Sequence, residues 1–157
     1  MSTPDVLLVL PSRLSSIAEL EGFVQRIIRA NQLSRDLQGN LLISLTEAVT
    51  NAIRHGNKLD DGKCVSIEVF QRPDELRVTV ADEGQGFVPA DLPDPTVEAH
   101  RAQEGGRGVF LMRALSDEIY FRNDGTMVEM RYECSCKPPV GKRDTAPKTR
   151  RKVAARA

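Results

Sequence analysis

Glu47 and Asn51 lie four residues apart in Ser44-Leu45-Thr46-Glu47-Ala48-Val49-Thr50-Asn51-Ala52-Ile53-Arg54-His55-Gly56-Asn57. On a helix that spacing puts a carboxylate and an amide on one side, one turn apart. An amide oxygen is a good ligand for a hard cation, and Mg²⁺ is commonly held by one or two protein groups plus phosphates. A glutamate one turn earlier can orient or deprotonate a hydroxyl that attacks a γ-phosphate. Further along, Asp82-Glu83-Gly84-Gln85-Gly86 sets a carboxylate before two glycines. Such an aspartate can accept a hydrogen bond from the exocyclic amine of a base, while the glycines let the backbone approach the ring. A second cluster, Gly105-Gly106-Arg107-Gly108, precedes a helical pattern. Glycines at a helix start admit phosphate oxygens to free backbone N–H groups.

Each block alone also has an ordinary reading. The pair fits a solvated helix face, Asp-x-Gly-x-Gly a plain turn, and the second glycine cluster a hinge. That cluster is neither a Walker A loop nor a dinucleotide fingerprint. Thr126 follows the turn Asn123-Asp124-Gly125 and could donate its hydroxyl to a phosphate or a base, or simply belong to a strand. Taken in order, the blocks point to a nucleotide site.

The elements that must carry them follow from periodicity. Asp5–Leu10 reads as a strand closed by Pro11. Ser15 or Ser16 can cap a helix reaching Asn31, with Ile17, Leu20, Val24, Ile27 and Ile28 as its apolar stripe. Ser34 can cap a second helix that continues to about His55 and stops at Gly56. On that helix Leu41, Leu45, Ala48, Val49, Ala52 and Ile53 form a broad apolar arc. Asn40, Ser44, Glu47 and Asn51 form a narrower polar stripe on its shoulder. Val65, Ile67 and Val69 alternate in one strand and Leu76, Val78 and Val80 in the next, with Pro73-Asp74 turning between them. A long irregular segment with Pro89, Pro93 and Pro95 precedes Gly105, and a segment of that kind is more often functional than idle. Val109–Leu115 has helical spacing, and two strands, Glu118–Arg122 and Met127–Cys134, finish the periodic part.

The zero net charge hides an asymmetry. Residues 137–157 hold eight Lys or Arg against one Asp, whereas residues 1–136 hold 14 basic against 21 acidic residues. An acidic domain over 1–136 and a basic, disordered tail over 137–157 are therefore expected. The tail could meet nucleic acid or acidic surfaces electrostatically, or serve only as a solubilising extension. It has no aromatic residues for base stacking. No leader and no membrane-length apolar run is readable, so a cytoplasmic protein without membrane contact is expected. Cys64, Cys134 and Cys136 have no zinc-type spacing and are expected as reduced thiols.

The three blocks resemble the N, G1 and G2 boxes of the GHKL (histidine-kinase-like) ATPase superfamily. Thr46-Glu47-Ala48-Val49-Thr50-Asn51-Ala52-Ile53-x-His55-Gly56 is closer still to the anti-sigma-factor serine/threonine kinases of bacterial partner switching. The resemblance covers about residues 10–135. It implies the Bergerat α/β sandwich, a mixed, mostly antiparallel sheet with helices on one face. It also implies ATP and Mg²⁺, with Glu47 as catalytic base, Asn51 on the metal and Asp82 on adenine. Gly84 and Gly86 would shape the base pocket, and Gly105, Gly106 and Gly108 would end a lid near the phosphates. Arg54, His55 and Arg107 are candidates for neutralising phosphate charge, and each equally fits a surface or capping place. The best-known anti-sigma kinases end the lid in a Glu-Arg-Ser-Gly-Met-Gly type run, so Arg107 is displaced here. The function implied is an ATP-dependent protein serine kinase that phosphorylates a STAS-type anti-sigma antagonist and binds that antagonist or a sigma factor. The alternative is a non-catalytic, ATP-gated interaction module. The resemblance further implies a homodimer, which no stripe in the sequence marks independently.

Overall fold

Alternating apolar residues give five strands with one dry face, and the helices cover that face. The computed structural model describes residues 3–88 and 106–135. The strands are β1 (Val6–Pro11), β2 (Cys64–Gln71), β3 (Glu75–Ala81), β4 (Glu118–Arg122) and β5 (Met127–Glu133). Their order in the sheet is β1-β2-β3-β5-β4. Among the described residues every pairing is antiparallel, and β5 inserts between β3 and β4. Leu10, Val65, Ile67, Val69, Leu76, Val78, Val80, Met130 and Tyr132 point into one core with Leu20, Phe23, Val24 and Ile27 of α1 (Ile17–Asn31) and Leu41, Leu45, Ala48 and Val49 of α2 (Arg35–Asn51). The opposite face carries charge. Arg131 lies 2.7 Å from Glu129 and 3.4 Å from Glu118, and Arg122 reaches Glu129 at 3.2 Å. Among the described residues no helix is long and apolar enough to cross a membrane.

The helix starts differ from each other. Ser34 caps α2 as expected, its hydroxyl accepting the Leu37 N–H at 3.4 Å. Ser16 occupies the N-cap position of α1 but donates its hydroxyl to the Pro11 carbonyl at 2.8 Å, tying the helix to the end of β1 rather than capping it. α2 does not run as α-helix to His55. From Ala52 to Gly56 it widens into a π-turn, with the Asn57 N–H bonded to the Ala52 carbonyl at 2.7 Å and Leu59 N–H to Ile53 at 2.8 Å. Such single wide turns occur frequently at functional sites. The third helix, α3 (Gly106–Leu115), starts three residues before the apolar pattern does, so Gly106 and Gly108 lie within its first turn.

One expectation about the thiols is corrected. Cys64 is free and exposed, but Cys134 is disulfide-bonded. An odd cysteine count leaves one thiol over without preventing a single pair.

The polar stripe of α2 divides between core and site. Ser44 is fully buried and shares a 2.5 Å hydrogen bond with the Tyr132 hydroxyl, joining α2 to β5. Burial also holds the Tyr132 phenol far above its ordinary pKa of 10.0, so it remains a neutral partner. Ser44 keeps carbonyl partners at Asn40 and Leu41. Tyr132→Phe therefore strands no buried donor and should cost about 1 kcal/mol. Tyr132→Ala leaves a cavity and should cost about 3–5 kcal/mol. Urea unfolding measures both, and equal losses would mean the hydrogen bond rather than the ring holds this seam.

Candidate functional site

Glu47 and Asn51 are half-buried on α2 and engage no described hydrogen-bond partner. What covers them is α3. A Cβ built on Gly108 would stand 2.8 Å from Asn51 Nδ2 and 2.9 Å from Glu47 Oε2. The first turn of α3 thus lies directly over the amide and the carboxylate, and a side chain at Gly108 would have to displace them. The leading N–H groups of a helix lack intrahelical acceptors and favour an anion. A place for negatively charged oxygens, a free amide oxygen and a carboxylate therefore coincide.

A cavity of about 250 Å³ opens beside this seat. Asn51 and His55 from the α2 end line it, with Asp82 opposite and Thr126 at the start of β5. Its walls are otherwise mainly apolar, from Ala48 of α2, Ala52 of the wide turn, Val80 of β3, Val109 and Met112 of α3, and Phe121 of β4. A mostly apolar cleft with a few converging polar groups suits a planar heterocycle, at the small end of ligand cavities.

Asp82 leaves β3 with its N–H bonded to the Thr126 carbonyl at 2.9 Å, and its Oδ1 accepts the Gly84 N–H at 2.8 Å. Burial raises its carboxyl above the ordinary 3.8, and the Gly84 N–H and the Lys63 charge offset part of that. Two backbone approaches set the carboxylate's position. A Cβ on Gly56 would collide with the Asp82 carboxylate, and one on Gly84 with the Gly56 carbonyl. Beyond it, Gly86 (φ +78°) and Gly125 (φ +86°) adopt left-handed backbone and press against Asp124 and Phe87 respectively. Phe87 N–H bonds to the Asp124 carbonyl at 2.9 Å, and its ring meets Phe121 edge-on at 5.5 Å.

The expected residues therefore assemble unequally. Asn51, Asp82 and Gly86 line one cavity, Glu47 adjoins it at Gly108, and Gly84 supports Asp82 from behind. Gly106 is buried in the first turn of α3. His55 lines the cavity, whereas Arg54 and Arg107 are exposed and do not. Thr126 lines it too, and its hydroxyl donates to the Asn123 carbonyl at 2.9 Å. Gly105 and the segment 89–105 lie outside the described residues, as does the tail. Among the described residues no cluster of three or more His, Cys, Asp or Glu could hold a metal. Asn51, whose amide oxygen is a hard-cation donor, and the Asp82 carboxylate both line the cavity. Sequence reasoning missed Gly56, Asn57, Phe87 and Phe121 as parts of the site. Gly56 reads in the sequence as a helix stop and as the end of the motif that carries the family resemblance, not as the glycine that admits Asp82.

Known proteins resemble this chain in sequence and in fold. A family model described as a histidine kinase-like ATPase domain matches residues 10–132. The serine-protein kinase RsbW of Bacillus subtilis (strain 168) is 40% identical over 100 residues, covering 58% of this chain and 61% of that protein. The RsbW of Bacillus pumilus (strain SAFR-032) is 32% identical over 137 residues, covering 81% of this chain and 78% of that protein. The chain thus spans about three fifths of the length of the first curated relatives it matches. A solved structure of the RsbU and RsbW domains of Rv1364c from Mycobacterium tuberculosis aligns with a TM-score of 0.55 at 13% identity. That alignment covers 87% of this chain and 33% of the other, and shows a shared fold.

A raised carboxyl makes Asp82 a burden on the unliganded fold. A group whose folded pKa lies above its unfolded value disfavours folding once ionised, fully above the folded value and not at all below the unfolded one. Asp82→Asn should therefore raise the thermal midpoint of the nucleotide-free protein at pH 7. The gain should shrink as pH falls through the raised value and vanish below the ordinary 3.8. Calorimetry across that range checks this, and a gain that persists at the acid end would assign it to something other than ionisation.

Proposed function

The chain belongs to the histidine kinase-like ATPase domain family, and from that premise we propose that it is an ATP-dependent protein serine kinase of the partner-switching type. Its protein substrate would be a serine on a STAS-type anti-sigma antagonist, and it would bind that antagonist or a sigma factor. The observation that carries the reading is the shared seat of Glu47 and Asn51 beneath Gly108, beside a cavity whose far wall is Asp82. RsbW relatives named as serine-protein kinases support it from the side of sequence.

In this reading the Asp82 carboxylate accepts a hydrogen bond from the adenine amine, and Phe87 and Phe121 close the apolar rim. The phosphates run toward the first turn of α3, where helix N–H groups favour negative charge. Asn51 would hold Mg²⁺ through its amide oxygen. Bound Mg²⁺ would neutralise charge on the phosphate oxygens. Glu47 takes the proton of the substrate serine as that oxygen bonds to the γ-phosphorus. The bond from the γ-phosphorus to the β–γ bridging oxygen breaks, leaving ADP and phosphoserine. The new charge at the docking surface would then release the antagonist by repulsion and desolvation cost.

The same proposal takes the protein to be a cytoplasmic homodimer with residues 1–136 as the ATPase domain. The basic segment 137–157 would be a separate extension that meets acidic partners or nucleic acid by charge alone.

Transfer of labelled phosphate from ATP to a STAS-type antagonist tests the proposal. Glu47→Gln should lower the transfer rate by about 10²–10⁴-fold, the usual range for a lost general base, with Mg-ATP affinity kept. Asn51→Ala should lose Mg-ATP binding itself. If partner release by ATP persists in the Glu47 variant, a non-catalytic, ATP-gated module replaces the kinase.

A further inference from the structure

Asn57 follows the wide turn at the end of α2 and is only 1% exposed. At that depth an amide is costly unless both of its ends are paired. Both are. Nδ2 donates to the Cys64 carbonyl on β2 at 2.9 Å, and Oδ1 accepts the N–H of Glu83, the residue after Asp82, at 2.8 Å. These two partners, one acceptor and one donor, fix which way the amide points. The Asn57 N–H closes the wide turn on Ala52 at 2.7 Å. In return, the Glu83 carboxylate accepts the Cys64 N–H, so both polar groups of the Cys64 residue are tied to this junction. One side chain thus joins the helix of Glu47 and Asn51 to the strand β2 and to the segment of Asp82.

That junction supplies something the glycine contacts cannot. Gly56 and Gly84 allow the Asp82 segment to come close to α2, but a steric limit only stops an approach and does not hold it. The bonds of Asp82 itself, to Thr126 and Gly84, tie it to β5 and to its own turn, not to α2. Among the described hydrogen bonds, the side-chain link between the α2 turn and the segment after β3 is that of Asn57. We propose that Asn57 is a positioning residue that sets the Asp82 carboxylate against α2 and thereby fixes selectivity for an amine-bearing purine. The inference rests on Asp82 reading the base, as in the proposed function. Asn57 itself touches no nucleotide.

The test compares Mg-ATP with Mg-ITP, whose base carries a carbonyl oxygen in place of the exocyclic amine, on the full chain by titration calorimetry. The wild type should prefer ATP by roughly tenfold or more, the weight of a hydrogen bond to a charged group. Asn57→Ala should lose about tenfold in ATP affinity with ITP affinity unchanged, so that the preference collapses. Asn57→Asp retains an acceptor for the Glu83 N–H and should keep a preference between those two. A folded Asn57→Ala protein that loses ATP and ITP affinity equally overturns the positioning role and leaves a plain structural staple. If the alanine variant does not fold, the aspartate variant is read the same way, and an undiminished ATP preference there overturns the proposal. A wild type that binds both nucleotides equally refutes the assignment of Asp82, and the inference with it. A wild type that prefers ATP, with an Asn57→Ala ratio like its own, refutes the inference alone.

Discussion

The site depends on two stretches of backbone touching with no side chain between them. At the end of α2 the chain must come against the segment leaving β3 closely enough that a single methyl group at Gly56 or Gly84 would not fit. This contact fixes the separation of Asn51 on the helix from Asp82 on the loop, and so the span across which a ligand can lie. The wide turn from Ala52 to Gly56 serves the same end. A regular α-turn would carry the next residues around the helix axis by about 100° each. Widening by one residue alters that phase, and here Gly56 faces the Asp82 carboxylate while Asn57 faces Cys64 and Glu83. Wide turns are rare, and this one is held by the fully buried side chain that follows it.

Charge placement follows the same division between holding and acting. On the outer face of the sheet, carboxylates are paired with arginines, Glu129 with both Arg122 and Arg131. Inside the cavity Asp82 has only the Gly84 N–H and the distant help of Lys63 against its desolvation. An acceptor left short of partners is poorly suited to the empty fold and well suited to a ligand donor. Glu47 and Asn51 are similar in kind, polar groups covered by α3 without being satisfied by it. Ser44, on the same stripe one turn earlier, is saturated by Tyr132, Asn40 and Leu41 and belongs to the core.

That contrast shows how far the sequence was legible. Helical and alternating periodicity located the described strands and α-helices to within a few residues, because the side-chain period reports directly which face is dry. The Asp82 and Gly86 cluster was legible because a left-handed glycine leaves a mark in the residue type. The polar stripe on α2 was visible, but not its partition, since whether Ser44 or Glu47 meets a partner depends on β5 and α3, distant in sequence. Gly56 read as a helix stop, although its work is to make room for Asp82. Asn57 carried no local signal at all, both its partners being long-range backbone groups. The antiparallel order with β5 inside β4 was equally hidden, because no single strand records its neighbour. The partners of the Ser16 and Thr126 hydroxyls were equally hidden. A hydroxyl that can serve a cap or a ligand takes whichever nearby carbonyl the fold presents, here Pro11 and Asn123.

Strand order is what lets blocks separated in sequence share one cavity. With β5 beside β3, Ala81 pairs with Met127, so the end of β3 and the start of β5 lie together at one end of the sheet. The segment from Asp82 to Phe87 then runs against the turn Asn123–Gly125, and the hydrogen bonds from Asp82 to Thr126 and from Phe87 to Asp124 close that seam. Had β4 been the neighbour of β3, Phe121 and Thr126 would not flank Asp82 from one side, and the cavity would lose its outer wall. α2 closes the other side through Gly56, and α3 lies over the far end through Gly108. The glycines at these crossings admit close approaches that a Cβ would obstruct, so the opening of the cavity and the tight packing around it rest on the same positions.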